Sequence, residues 1–170
     1  ASHISPVSAE DVAQEFKDSL KIIINDGPCR IGLESTVVDL TSEPKILRPG
    51  LISPKAVSKI LNKKIVISSA SKKIKAPGML KRHYSPGIPM KLNQKNAKSN
   101  EAFIVFGKKY KKRKNIFNLS YKSNLNEAAK NLYKTLRLIK NKNYKMICVC
   151  AIPKSGIGLA INDRLNRAAK

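Results

Sequence analysis

The stretch that most constrains this chain runs from Gly27 to Gly50. Asp26-Gly27-Pro28 reads as a turn, and Thr36 to Leu40 is rich in the β-branched residues of a strand. A second short apolar run ends at Arg48-Pro49-Gly50, which turns the chain again. Two strands therefore end near one place. Glu34, Ser35 and Thr36 stand at the mouth of the first, and Arg48 lies in the turn after the second. That grouping suits a polar, anionic ligand, because a guanidinium and hydroxyls can share its oxygens.

Helices and strands alternate along the rest of the chain, which predicts an α/β layer structure. Ser8-Ala9-Glu10-Asp11 has the form of a capping box, and Val12, Ala13, Phe16 and Leu20 then recur at helical spacing. A helix is expected over 9–20. Ser5 precedes it, and on the residues alone is turn chemistry. Ile22-Ile23-Ile24 is expected as a short buried strand. Ser53-Pro54 supplies an N-cap and a proline at the first helical position, Ala56, Val57, Ile60 and Leu61 form the apolar face, and Ile65-Val66-Ile67 reads as a strand. From Ser68 to Met90 no apolar period survives, and Pro77, Gly78, Pro86, Gly87 and Pro89 mark a linker. His83 lies in it, with no nucleophile, orienting group or metal partner in the pattern to make it a general base.

Beyond Lys91 a second unit is expected. Phe103 to Gly107 reads as a strand, Lys108 to Lys114 as a basic connection containing Tyr110, and 124–140 as a helix with Leu125, Ala128, Ala129, Leu132, Leu136 and Ile139 on one face. Met146 to Ala151 is the next strand and Ala160 to Ala169 the last helix, a small Rossmann-like order. Gly156-Ile157-Gly158 is too short for a dinucleotide loop, and tight helix packing is the expected job of these glycines.

Charge divides the chain as well. The formal net charge is +23, yet residues 1–60 hold 7 Lys/Arg against 8 Asp/Glu. Residues 61–100 hold 10 against 0, and 101–170 hold 17 against 3. Clustered cations are compatible with nucleic acid, whose counterions they release; a lysine-biased composition coating solvated surfaces is the plainer reading. The cysteines, Cys29, Cys148 and Cys150, have neither disulfide pairing nor metal-ligand spacing. Cys148 and Cys150 share one face of their strand and are expected to be buried. No apolar run approaches the ~18 residues of a spanning helix, and no leader pattern opens the chain, so a cytoplasmic, non-membrane location is expected.

The segment Gly27-Pro28-Cys29-x-x-Gly32-x-Glu34-Ser35-Thr36-Val37-Val38-Asp39-Leu40, followed by Ile46-Leu47-Arg48-Pro49-Gly50, resembles the second half of the catalytic domain of threonylcarbamoyl-AMP synthases, the Sua5/YrdC/TsaC family. Ser5-Pro6 before a helix resembles the family's Ser-Pro-Thr, with Val7 in place of the threonine. Ala76-Pro77-Gly78-Met79 through Arg82-His83-Tyr84-Ser85-Pro86 resembles the linker of the long, Sua5-type members. Gly156 to Ile161 with Asp163-Arg164-Leu165 and Ala168-Ala169 resembles their C-terminal end. The family's opening region, with its Lys-x-Arg and Ser-Ala-Asn motifs, has no counterpart in the chain.

This resemblance implies an architecture and a chemistry. The architecture is the C-terminal part of a YrdC-like α/β catalytic domain over 1–67, a linker over 68–100, and a small Rossmann-like Sua5-type domain over 101–170. The implied reaction is that of a nucleotidyltransferase: ATP, L-threonine and bicarbonate, with Mg2+, give threonylcarbamoyl-AMP and pyrophosphate. The product goes to a downstream threonylcarbamoyl transferase that modifies tRNA. By the same resemblance Ser5, Arg48 and Tyr84 contact ATP and Ser35 contacts threonine, while no residue is assigned as a covalent catalyst or metal ligand. Glu34 and Thr36 are secondary candidates. Lacking the opening motifs, the isolated chain is expected to be inactive unless another polypeptide supplies the other half. Two alternatives stand beside this: a basic module binding tRNA or double-stranded RNA, and a catalytically inactive remnant of the synthase.

Overall fold

A computed structural model describes residues 3–68, 76–80 and 82–170, so the expected linker falls partly outside the described residues. The described residues form two small sheets and four α-helices. The first sheet pairs β1 (Val37–Asp39) antiparallel with β2 (Lys45–Arg48), and β2 parallel with β3 (Val66–Ile67). Helix α1 (Ala9–Phe16) precedes this sheet, and α2 (Pro54–Leu61) forms the crossover between β2 and β3. The expected N-caps are present: the Ser8 hydroxyl accepts from Asp11 N–H at 3.2 Å, and Ser53 accepts from Ala56 N–H at 3.2 Å. Helix α1 stops short of Leu20, because Lys17 turns to φ 46° and a 3-10 turn follows over Lys17–Ser19.

The second sheet is wholly parallel, in the order β4 (Met90–Lys91), β7 (Ile147–Val149), β5 (Ala102–Val105), β6 (Ile116–Asn118). Helices α3 (Leu125–Lys140) and α4 (Gly158–Ala168) follow β6 and β7. Both pack on the same face, joining Ala102, Ile104, Ile147 and Val149 to Leu132, Leu136, Ile139, Ile161 and Leu165 in the main core. On the opposite face Phe103, Val105, Cys148 and Cys150 are covered by loop residues such as Ala97 and Tyr110. Strand alternation thus gives each sheet face its own cluster, with both cysteines buried together as their spacing predicted. Parallel neighbours ordinarily need a helical crossover. Here β4 reaches β5 and β5 reaches β6 through loops instead, at 92–101 and 106–115. The unit is therefore a two-layer Rossmann-like sheet with helices on one side only. Strands β4 and β6 carried no sequence signal strong enough to predict, since each has only two or three paired residues.

One expectation fails. Ile22-Ile23-Ile24 is not a strand, and Ile22 and Ile24 stand 83% and 91% exposed. A run of β-branched residues has no strand to form when no neighbour offers hydrogen bonds along it. Helix α2 likewise buries none of its residues, with Ile60 82% exposed. Of the two glycines expected to pack tightly, only Gly158 does: a Cβ there would meet the Pro153 carbonyl oxygen at 2.1 Å, so α4 starts hard against the loop before it, whereas Gly156 has nothing within 4 Å and instead takes φ 51°.

Stability should follow this division of burial. Leu132→Ala, in the main core, is expected to cost about 2–5 kcal/mol, whereas Ile60→Ala should stay within about 0.5 kcal/mol. Urea unfolding midpoints check this, and equal losses for the two variants would contradict it.

Candidate functional site

Glu34 sits where the two units meet. Its carboxylate accepts from the Ser5 hydroxyl at 2.5 Å, from the Tyr133 hydroxyl at 2.9 Å, and from Arg164 Nε at 2.9 Å. Those donors come from the segment before α1, from α3 and from α4. Arg164 is completely buried, and its other nitrogens are also occupied. Nη1 donates to the Pro49 carbonyl and to Asp163 Oδ2, at 2.8 and 2.9 Å, and Nη2 donates to the Glu34 carbonyl at 3.3 Å. One arginine of the C-terminal unit thereby holds both ends of the Glu34–Pro49 stretch. Close backbone packing reinforces the contact. Gly32, at φ 75°, lies so near α3 that a Cβ would meet Lys130 Cα at 2.7 Å.

A second group adjoins the first. Arg48 Nε and Nη2 donate to the Ser35 carbonyl and Oγ at 3.0 and 3.2 Å, and Nη1 donates to the Pro77 carbonyl at 3.2 Å. The guanidinium ties the strand mouth to the linker and keeps two of its five N–H donors for other partners. Tyr84 joins the two groups: its ring stacks on Tyr133 with centroids 5.6 Å apart and lies 5.4 Å from the Arg164 guanidinium carbon. Gly78 closes over it, since a Cβ there would meet the Tyr84 hydroxyl at 2.5 Å. Tyr84 is buried, takes φ 63°, and leaves its hydroxyl without a partner among the described residues. Strained backbone and an unpaired buried donor are the sort of features that collect at binding sites.

The electrostatics follow from this packing. Burial pushes the Glu34 carboxyl up, but the Ser5 hydroxyl and the Arg164 charge outweigh it and hold the group below the usual carboxylate range. Burial works against the Arg164 charge too, and the surrounding Tyr133, Tyr84 and Glu34 raise its pKa nonetheless. Tyr133 is pushed up by burial and then by Glu34, so it stays a hydroxyl donor. His83 packs on Tyr84 with centroids 3.9 Å apart, and burial lowers its pKa, favouring neutral imidazole. A cavity of about 190 Å³ opens beside Glu34, lined by Ser5, Val7, Cys29, Leu33 and Tyr133.

Ser5, Ser35, Arg48 and Tyr84, the four residues singled out from sequence, thus fall in one connected network with Glu34. Thr36 does not face it in the same way: its hydroxyl donates to the Ile52 carbonyl at 2.8 Å, a structural tie. Tyr133 and Arg164 escaped the sequence reading as site residues. The signal was an arginine inside the stripe Ile157, Ala160, Ile161, Arg164, Leu165 and Ala168, where a charge demands a buried partner. Among the described residues no three His, Cys, Asp or Glu come together to hold a metal ion. No helix there is long and apolar enough to cross a membrane.

The sequence model of the family described as threonylcarbamoyl-AMP synthase, C-terminal domain, matches residues 52–170. The chain belongs to the threonylcarbamoyl-AMP synthase family. A second family model, described as telomere recombination, matches residues 1–50. The threonylcarbamoyl-AMP synthase of Pyrococcus abyssi is 32% identical over 97% of this chain and 54% of its own length. That of Bacillus subtilis is 28% identical over 97% of this chain and 53% of its own. The crystal structure of P. abyssi Sua5 complexed with L-threonine superposes with a TM-score of 0.85 at 28% identity, over 99% of this chain and 55% of that one. The chain thus spans about half the length of these synthases.

The Glu34–Arg164 pair sets an expectation. Arg164→Ala leaves a partly buried carboxylate, 22% exposed, without its cation and should destabilise by about 2–4 kcal/mol, somewhat less than a fully buried pair. In Glu34→Gln the same arginine substitution should cost much less, and a double-mutant cycle with no coupling would contradict the pairing. Glu34 titrates lower in the folded than in the unfolded state, so its stabilisation is present above its ordinary value of 4.5 and lost as pH falls through the folded value. Glu34→Gln should therefore flatten stability against pH in that acid range.

Proposed function

We propose that this chain forms one side of a threonylcarbamoyl-AMP synthase active site, binding ATP and L-threonine for a nucleotidyl transfer. The convergence of Ser5, Glu34, Ser35, Arg48 and Tyr84 into one network carries the reading. Family membership supports it, as does the likeness to a synthase solved with L-threonine.

In this reading threonine nitrogen combines with bicarbonate or CO2, and a carboxylate oxygen of the resulting N-carboxythreonine attacks the α-phosphorus of ATP. The new O–P bond forms as the bond to the β-phosphate oxygen breaks, and pyrophosphate leaves with that electron pair. Such chemistry asks for positioning and charge neutralisation, with no covalent nucleophile on the protein. Arg48, whose guanidinium is anchored on Ser35 and Pro77, directs its two remaining N–H groups to phosphate oxygens. Tyr84, whose hydroxyl is buried under Gly78 and unpartnered among the described residues, reaches the nucleotide when that cover shifts. Ser35 orients threonine; the neighbouring cavity beside Glu34, lined by Ser5 but not by Ser35, Arg48 or Tyr84, has room for a ligand of amino-acid size. Mg2+ would enter on the ATP phosphates and supply charge neutralisation there. The rest of the pocket belongs to the part of the synthase that this chain does not span. The product would serve a threonylcarbamoyl transferase acting on tRNA.

Calorimetric titration of the chain with L-threonine and with MgATP tests this. Ser35→Ala should weaken threonine about tenfold, the worth of one hydrogen bond to a charged ligand, while Tyr84→Phe should weaken MgATP and leave threonine alone. No binding at millimolar ligand, or binding indifferent to both changes, would overturn the proposal.

A further inference from the structure

The two loop crossovers of the C-terminal sheet are also where its charge collects. Residues 95–115 contain eight Lys/Arg and a single acid, Glu101. That acid is turned to local use: its carboxylate accepts from Lys98 N–H at 2.9 Å and faces Cys148 Sγ at 3.6 Å. Between the crossovers lies a cavity of about 330 Å³, floored by Phe103 and Tyr110 and walled by Lys95, Lys109, Lys111 and Arg113. A second cavity, of about 500 Å³, shares Asn115 with it and continues past Lys114 to Lys142 and Tyr144. The two adjoin at Asn115 and form a cationic depression along the crossover loops, the first on the helix-free face of the sheet and the second reaching Tyr144, which packs on the helix-side core.

These cations are not spent within the fold. Arg137, Arg164 and Arg167 each pair with carboxylates, whereas no ion pair among the described residues engages Lys95, Lys109, Lys111, Lys112, Arg113 or Lys114. Lys109 Nζ instead stands 5.1 Å from the Tyr110 ring centre, and that ring meets Phe103 edge-on. Residues 63–82 also carry seven Lys/Arg and no acid, so charge density alone does not mark the crossovers; what sets them apart is that their cations line a cavity beside an aromatic ring. A lipid surface fits poorly, because no exposed large apolar residue lies between Ile67 and Tyr121 among the described residues to insert into it. An elongated depression of unpaired cations beside an aromatic ring matches a polymer of regularly spaced phosphates.

We propose that this depression is a docking groove for an RNA backbone, in which Lys95 from one crossover and Lys109, Lys111 and Arg113 from the other contact successive phosphates beside Tyr110. The choice of RNA over DNA rests on the proposed synthase reading, whose product serves tRNA. The first cavity lies across the sheet from α3 and α4, the helices that hold Glu34, and the second ends just past α3 at Lys142 to Tyr144; neither is lined by a residue of the candidate site, so RNA can dock without covering it.

Fluorescence anisotropy with a labelled, unmodified tRNA transcript and the full chain tests the groove without ATP or threonine, so its failure is distinct from failure of the synthase reading. The triple variant Lys109→Glu, Lys111→Glu, Arg113→Glu should weaken binding at least about thirtyfold and lower the slope of log affinity against log salt by ~2–3, one increment of ~0.7–0.9 per lost phosphate contact. A charge-matched control on α2 and its exit, Lys59→Glu, Lys63→Glu, Lys64→Glu, should change affinity less than about threefold. Milder Lys109→Gln, Lys111→Gln substitutions should act in the same direction, and thermal melts of every variant should match wild type. Equal losses from groove and control variants would overturn the proposal, because charge alone would then explain binding. Equal competition by duplex DNA or polyglutamate would overturn the assignment to RNA.

Discussion

A completely buried arginine has to be answered by the rest of the chain, and in this fold Arg164 is answered by the loop that carries the candidate site. Taking a guanidinium and a carboxylate out of water costs several kcal/mol per ion, and the attraction between them repays it only with good geometry and full hydrogen bonding. Those conditions are met here, with Glu34 receiving hydroxyls from Ser5 and Tyr133 as well as the arginine. Placement of Glu34 also places Ser35, whose carbonyl and hydroxyl engage Arg48, and Arg48 in turn fixes Pro77 of the linker. The site is thus built from the C-terminal unit outward, although the residues expected to touch ligand belong mostly to the first unit.

The distribution of buried surface explains why such an anchor matters. The parallel sheet with α3 and α4 has a continuous core from Ala102 to Ala168. The first unit has little of its own: α1 and α2 bury no residue, and Leu40, Ile52 and Val66 stand more than half exposed. Its order near the site comes from docking. Ile4 enters the main core, its carbonyl accepts from Arg137 at 2.7 Å, and Gly32 lies directly on α3. A site assembled this way is sensitive to substitutions on helices that have no contact with ligand.

Much of this was legible in the sequence. Periodicity located the four α-helices of the described residues, and the caps Ser8 and Ser53, legible from local spacing, fix two of their starts; Asn124 caps α3 as well, while α4 starts without a side-chain cap. Ser35 and Arg48 in the motif of 27–50, Ser5 before α1 and Tyr84 in the linker, all named through the family resemblance, are gathered together by the fold. What escaped was non-local. Strands of two or three residues, such as β4 and β6, exist only through their neighbours, and Ile22 to Ile24 had the composition of a strand without a partner. Tyr133 and Arg164 sit in apolar stripes that periodicity assigns to core, and only the fold reveals that the core at those points is polar.

The central claim is that the C-terminal unit orders the site through Arg164. Amide hydrogen exchange on the wild-type chain and on Arg164→Gln tests it most directly. Exchange should quicken together at 3–7 and 33–36 in the variant, while β5 and β7 keep their protection. Unchanged protection of 33–36, or a uniform loss across both units, would contradict the account.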